Sequence, residues 1–145
     1  MSDSNPMSDF NRGIVEQFRA NGGKVGPPFE GATMVLLTTT GAKTGQPRLT
    51  PLVYRPDGDR ILIIGSYGGA PKHPAWFLNL RANPNVVVEV GDGTTIDRYE
   101  ATATVLPDDE RNEMWAKITA EMPGFADYQD KTSRVIPVVA LTRNG

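Results

Sequence analysis

The sequence predicts a mainly β protein of the antiparallel-barrel class, flanked by helices. Three observations carry that expectation. About six short runs rich in β-branched residues lack a helical stripe, tight turn signals join most of them, and the 145 residues amount to one domain.

Residues 1–7 are polar and read as a disordered tail, which leaves 8–145 as a single domain. Ser8 or Asp9 caps a first helix carrying Phe10, Ile14 and Phe18 at four-residue intervals with Val15 beside them, and Gly22-Gly23 ends it. A Gly- and Pro-rich loop fills 24–31, and 34–40 is a strand. Residues 50–55 and 61–65 form two strands joined by Pro56-Asp57-Gly58-Asp59, a strong turn signal. Pro74 suits the first turn of a short helix that buries Trp76, Phe77 and Leu80 and stops before Asn83-Pro84. Residues 86–90 and the alternating Tyr99, Ala101, Ala103 and Val105 are strands linked through Gly91-Asp92-Gly93. Pro107 opens a further helix, with Asp108, Asp109 and Glu110 where the helix dipole favours negative charge. Its buried stripe is Met114, Trp115, Ile118 and Met122, and Pro123-Gly124 ends it. The last strand is 135–141, with Pro137 marking an edge or a strand end.

Composition narrows the chemistry. There is no cysteine and a single histidine, which excludes disulfides, thiol catalysis, iron–sulfur clusters and histidine-rich metal centres. A net charge of −2 gives no global case for nucleic acid or an anionic membrane. The N-terminus has neither a basic nor an apolar signal region, so the expected location is cytoplasmic. Peripheral membrane contact through the apolar face of the first helix is a second reading, and docking of that face on the barrel is the simpler one. Redox activity would require a borrowed cofactor.

Three stretches carry candidate chemistry. In Thr38-Thr39-Thr40-Gly41-Ala42-Lys43-Thr44-Gly45-Gln46-Pro47-Arg48 two glycines bracket a lysine between strands and an arginine opens the next. Glycines let backbone N–H groups turn toward a ligand, and Lys43 and Arg48 add charge, which suits a phosphate or carboxylate tail. A plain hairpin loop with solvated charges is the competing reading. The stretch is not a nucleotide P-loop, because Gly-Lys-Thr is not contiguous and a strand follows. The second stretch, Gly65-Ser66-Tyr67-Gly68-Gly69-Ala70-Pro71-Lys72-His73-Pro74, leaves a strand and enters a helix, where backbone donors favour anions and a planar ring can approach glycine. A Ser66–His73 hydrolytic dyad is conceivable there, but Ser66 lacks the Gly-x-Ser-x-Gly elbow and no acid is marked as the orienting partner. In the third, Phe125 and Tyr128 follow Pro123-Gly124 and share a face if the segment is helical. They either cap a pocket or pack on the barrel.

Taken in order and spacing, these stretches resemble the deazaflavin (F420)-dependent nitroreductase family of actinobacteria, the short F420H2-dependent oxidoreductases. The resemblance runs from the first helix through 36–48, Thr50-Pro51-Leu52, 65–72, 74–80 and Tyr128-Gln129 to Leu141. It implies a split β-barrel related to flavin-nucleotide-binding barrels, coenzyme F420 as cofactor, and a small electron-poor acceptor: a quinone, an enone, an unsaturated lactone or a nitro compound. It further implies that Lys43 and Arg48, with Thr44 and Gly45 in their loop, hold the cofactor's phosphate and acidic tail. Pro51, Ser66, Gly68 and Gly69 line the ring site, and Lys72, Trp76 and Asn79 complete it. Ser66 and Tyr128 are the candidate catalytic donors, and Phe125 and Tyr128 the acceptor-binding pair. Two departures from the family pattern are visible: Ala42 stands where a basic residue is common, and Phe125 lacks the hydroxyl of a tyrosine-rich pocket. Nitroimidazole activation therefore does not follow from the resemblance. An FMN-dependent barrel of the same fold and a non-catalytic F420 binder are the rival readings. Monomer and dimer both fit.

Overall fold

The computed structural model describes residues 9–26 and 33–144. The expected tail and a Ser8 cap lie outside those residues, as does most of the Gly- and Pro-rich loop. Among the described residues, six antiparallel strands close a barrel in the order β1-β2-β3-β6-β5-β4. They are β1 (Met34–Thr40), β2 (Pro47–Asp57), β3 (Arg60–Ile64), β4 (Asn85–Gly91), β5 (Ile96–Val105) and β6 (Val138–Arg143). The helices are α1 (Asp9–Ala20), α2 (Ala75–Ala82), α3 (Asp108–Glu121) and α4 (Gly124–Asp130). Tight turns make β1–β2, β2–β3 and β4–β5 hairpins, and β4 returns to β1 to close the cylinder.

Alternation along each strand sorts the side chains into two sets. Val35, Leu37, Ile63, Val88, Ala101, Ala103, Val139 and Leu141 share the barrel core with Trp76, Phe77 and Leu80 of α2. The intervening residues face out; helices cover those of β1, β3 and β6, while Arg98, Glu100 and Thr104 of β5 are exposed. Ile14, Val15 and Phe18 of α1 pack on Met34 and Leu36, while Met114 and Ile118 of α3 pack on Leu62, Ile64, Val138 and Ala140. Leu37 and Ile63 have no exposed surface, so truncating either to alanine should cost about 2–5 kcal/mol. Phe10 departs from the expected helix face. It is 54% exposed, and the buried residues of α1 are Ile14, Val15 and Phe18.

Several strand boundaries also differ from expectation: β5 starts at Ile96 rather than 99 because residues 96–98 already pair with 89–91, and β2 and β6 each end two residues later than expected. β2 starts at Pro47 rather than 50 because residues 47–49 already pair with Thr40, Thr39 and Thr38. β6 starts at Val138 rather than 135. Pro137 has no N–H to give a ladder, and side chains take the backbone groups just before it: Gln129 accepts from the N–H of Ile136, whose carbonyl accepts from Arg111.

The prolines of β2 explain where the barrel splits. The N–H of Tyr54 donates to the carbonyl of Thr33, on the β1 side. With a period of two, the nitrogens of Pro47 and Pro51 therefore face the opposite edge. On that edge β3 pairs only with residues 54–57, so among the described residues 47–53 have a strand partner on one side alone. An open edge is where proline is tolerated within a sheet. Beyond Ile64 the chain turns away into the 65–74 loop and α2.

Candidate active site

The β1–β2 turn is internally braced. The N–H of Gly41 donates to the Gln46 carbonyl at 2.8 Å, and that of Gly45 to the Gly41 carbonyl at 2.9 Å. Gly45 has φ of 72°, a backbone shape that favours glycine. Thr44 Oγ1 accepts from the Gln46 N–H at 3.2 Å and from Arg48 Nη2 at 3.5 Å. Lys43, Thr44 and Gly45 are exposed, and Arg48 is half-buried. Arg48 sits opposite Thr39 in the ladder, and directly paired residues project to the same face. Thr39 is buried on the barrel-interior face, so Arg48 emerges toward the barrel end that α2 closes.

Asn79 of α2 fixes the turn from below. Its Oδ1 accepts from the N–H of Ala42 at 2.9 Å and its Nδ2 donates to Thr39 Oγ1 at 3.2 Å. Asn79 is 8% exposed, so this buried amide anchors the loop that carries Lys43. Trp76, 6% exposed, packs edge-on against Phe77 at 6.3 Å within the barrel core. No carboxylate stands in the β1–β2 turn, the 65–74 loop or α2, where Lys43, Lys72 and Arg81 all occur. The chain's net negative charge is thus reversed locally.

The 65–74 loop contains a single 3-10 turn, Tyr67–Gly69, between Ser66 and Ala70. Ser66 is nearly buried, Lys72 is exposed, and Gly68 lies within the turn. Gly65 and Gly69 are explained at least in part by close packing inside the chain. A Cβ on Gly65 would meet Pro137 Cγ at 2.8 Å, and one on Gly69 would meet the Tyr128 carbonyl oxygen at 2.8 Å. The contact at Gly69 seats the turn against the C-terminal end of α4. There Phe125 and Tyr128, both half-buried, form an edge-to-face pair at 5.9 Å. The segment is helical as the spacing required, and the pair packs on the outer cluster beneath α3.

Arg134 dominates the loop, and the sequence reading missed it. Its Nη2 donates to the Ser66 carbonyl at 2.8 Å, its Nε to the Ala70 carbonyl at 2.9 Å and its Nη1 to the Gly65 carbonyl at 3.1 Å. Nη1 also lies 3.2 Å from His73 Nδ1. Burial and the cations of Arg134 and Arg81 lower the His73 pKa, opposite to what a general base for Ser66 would need. The dyad reading finds no support in this arrangement. Arg111 was missed too: 8% exposed, it donates from Nη2 to Gln129 Oε1 at 3.0 Å and stacks its guanidinium 4.4 Å from the Trp115 ring centroid. In sequence Arg134 is an arginine beside an apolar run, where a long cation must find acceptors, whereas Arg111 lies in a polar stretch that gives no such signal.

The structure therefore brings the expected residues together in two groups. Lys43, Thr44, Gly45 and Arg48 gather at the β1–β2 turn above Asn79. Ser66, Gly69 and Tyr128 gather where the glycine turn meets α4. Pro51 lies on the open edge of β2, and Trp76 lies behind in the core.

Comparison with known proteins bears on this geometry. The family model for F420H(2)-dependent quinone reductase matches residues 10–143. An F420H(2)-dependent quinone reductase of Mycobacterium tuberculosis (strain ATCC 25618 / H37Rv) is 44% identical over 130 residues, covering 87% of this chain and 85% of that protein. A solved F420-H2 dependent reductase (FDR-A) superposes with a TM-score of 0.65 at 40% identity, covering 75% of this chain and 93% of that one. A second solved chain, a domain-swapped dimer, gives a TM-score of 0.64 at 40% identity, with 75% and 79% covered.

Proposed function

The chain belongs to the F420H(2)-dependent quinone reductase family, and from that premise we propose that it binds reduced coenzyme F420 beside the open edge of β2 and passes hydride to a quinone. The observation that carries the reading is the pairing of an unladdered strand edge with a carboxylate-free basic turn. A flat ring needs backbone without a neighbouring strand, and a phosphate-bearing tail needs cations. The residues present fit both demands.

Lys43 and Arg48 hold the phosphate and acidic tail, with Thr44 and Gly45 shaping the turn and Lys72 adding charge from the next loop. Pro51, Ser66, Gly68 and Gly69 wall the ring. Trp76 and Asn79 support those walls from behind. Once bound, the reduced deazaflavin supplies the hydride, so the protein's task is position, dryness and electrostatics. Positioning alone is worth about 7–11 kcal/mol, so no specialised acid is required for a large rate enhancement. The acceptor lies toward Phe125 and Tyr128. As its oxygen gains charge, the Ser66 hydroxyl, a backbone N–H near it, or Tyr128 donates a hydrogen bond. The final proton comes from Tyr128 or from solvent. Enones, unsaturated lactones and nitro compounds share the quinone's electron-poor conjugation and belong to the same acceptor class. Nitroimidazole activation does not follow from family membership, since Phe125 offers no hydroxyl.

Titration of intrinsic fluorescence tests the cofactor. F420 should quench it, with Trp76 contributing, and FMN should bind far more weakly. FMN that copurifies tightly would overturn the assignment.

A further inference from the structure

Tyr67 is the one non-glycine among the described residues with positive φ, at 47°. An L-residue in this region is strained, and such strain persists only where the surroundings over-determine it. The surroundings here are unusually explicit. The Gly69 N–H donates to the Ser66 carbonyl at 2.9 Å and the Ala70 N–H to the Tyr67 carbonyl at 3.1 Å. Arg134 then bonds the carbonyls of Gly65, Ser66 and Ala70, which bracket Tyr67 on both sides. The tyrosine gains no burial from the arrangement, since it is 53% exposed.

Arg134 is itself held. Gln129 Nε2 donates to its carbonyl at 2.7 Å, and Gln129 Oε1 accepts from Arg111 at 3.0 Å. A chain of bonds thus runs from α3 through α4 to the glycine turn. Only a planar fork of donors serves several acceptors at fixed angles; a lysine at this position would serve one or two.

We propose that Arg134 is a positioning residue, whose guanidinium holds the 65–70 turn in the left-handed shape that the F420 site requires. The inference rests on the function proposed above, because it assigns that strained turn to the wall of the cofactor site. Arg134 acts through Ser66 and its neighbours and does not itself touch cofactor or acceptor.

The experiment compares five proteins: the parent, Arg134→Lys, Tyr67→Gly, the double variant and Tyr67→Val. Each is measured for F420 dissociation constant by fluorescence quenching, for kcat and KM with a quinone, and for Tm. Arg134→Lys should lose about a hundredfold in kcat/KM, the scale of a small misplacement. Glycine adopts φ of 47° freely, so in the Tyr67→Gly background the same substitution should cost less than about tenfold. Tyr67→Val and Tyr67→Gly both remove the ring, yet only valine resists the left-handed shape, so F420 binding should weaken in the valine variant alone. This pair tests the need for the left-handed shape, and Arg134→Gln in the parent and Tyr67→Gly backgrounds tests the arginine if Arg134→Lys does not fold. Valine and glycine variants that bind F420 equally, or an Arg134→Lys protein with lowered Tm and parental kinetics, would overturn the inference while leaving the function intact. A parent that does not bind F420 overturns the function and this inference with it.

Discussion

Arg134 places its Nη1 3.2 Å from Nδ1 of His73, and this contact fixes the protonation of the chain's single histidine. The guanidinium is always a donor, so Nδ1 is the acceptor and a neutral ring carries its proton on Nε2. Desolvation comes first among the causes that hold the His73 pKa below its ordinary value, followed by Arg134 and Arg81. Because the folded value lies below the unfolded one, the unfolded chain takes up the proton more readily. The resulting stability is present above a pH of about 6.5 and is lost as pH falls through the lower folded value. Thermal denaturation from pH 7.5 to 5 should show Tm falling in the acidic half, with a shallower fall in His73→Gln. Equal slopes would show that His73 is not the group that titrates.

Lys43→Ala and Arg48→Ala should each weaken F420 binding and flatten its dependence on salt. A charge-assisted contact is worth about 1.5–3 kcal/mol when desolvated, and the exposed Lys43 should sit below that range. Isothermal titration at low and moderate salt gives both quantities. If both variants bind as tightly as the parent, the anion cradle is misassigned.

Asn79→Leu tests the support beneath that cradle. It strips the Ala42 N–H and the buried Thr39 hydroxyl of their partner, a loss of about 1–3 kcal/mol in urea denaturation. F420 affinity should fall as well, although Asn79 is assigned no contact with the cofactor's charge. Lost stability with unchanged affinity would mean that the turn keeps its shape without α2.

Ser66→Ala and Tyr128→Phe separate the two candidate donors. If the Ser66 hydroxyl stabilises the developing oxyanion, its removal should lower kcat by about 10²–10³ with little change in F420 affinity. Tyr128→Phe should alter the pH dependence of kcat if the phenol delivers the final proton. A kcat unchanged in both variants would leave backbone N–H groups and solvent in those roles.

The barrel was legible because its signals are local. Met34–Thr40 and α2 follow from β-branched runs and from Pro74 and Asn83-Pro84, and the β2–β3 turn is written in Pro56-Asp57-Gly58-Asp59. Strand ends were less so, since Gln46-Pro47-Arg48 reads as loop until Thr40 and Thr39 are known to lie opposite. The glycine turn was found, but part of its cause was hidden. Gly69 admits the Tyr128 carbonyl and Lys131, a long-range approach that no local pattern encodes. Arg134 stayed invisible for the same reason: its acceptors are carbonyls more than sixty positions away, and a carbonyl looks alike in every residue.

The most direct test of the central claim is a stopped-flow record of reduced F420 oxidation, with the protein present and absent, across quinones, enones and nitro compounds. The account predicts protein-dependent oxidation with at least a quinone, saturating in both substrates and greatly reduced in the Lys43→Ala, Arg48→Ala double variant. Tight binding of reduced F420 with no oxidation by any acceptor would contradict it and leave a protein that holds the coenzyme without using it.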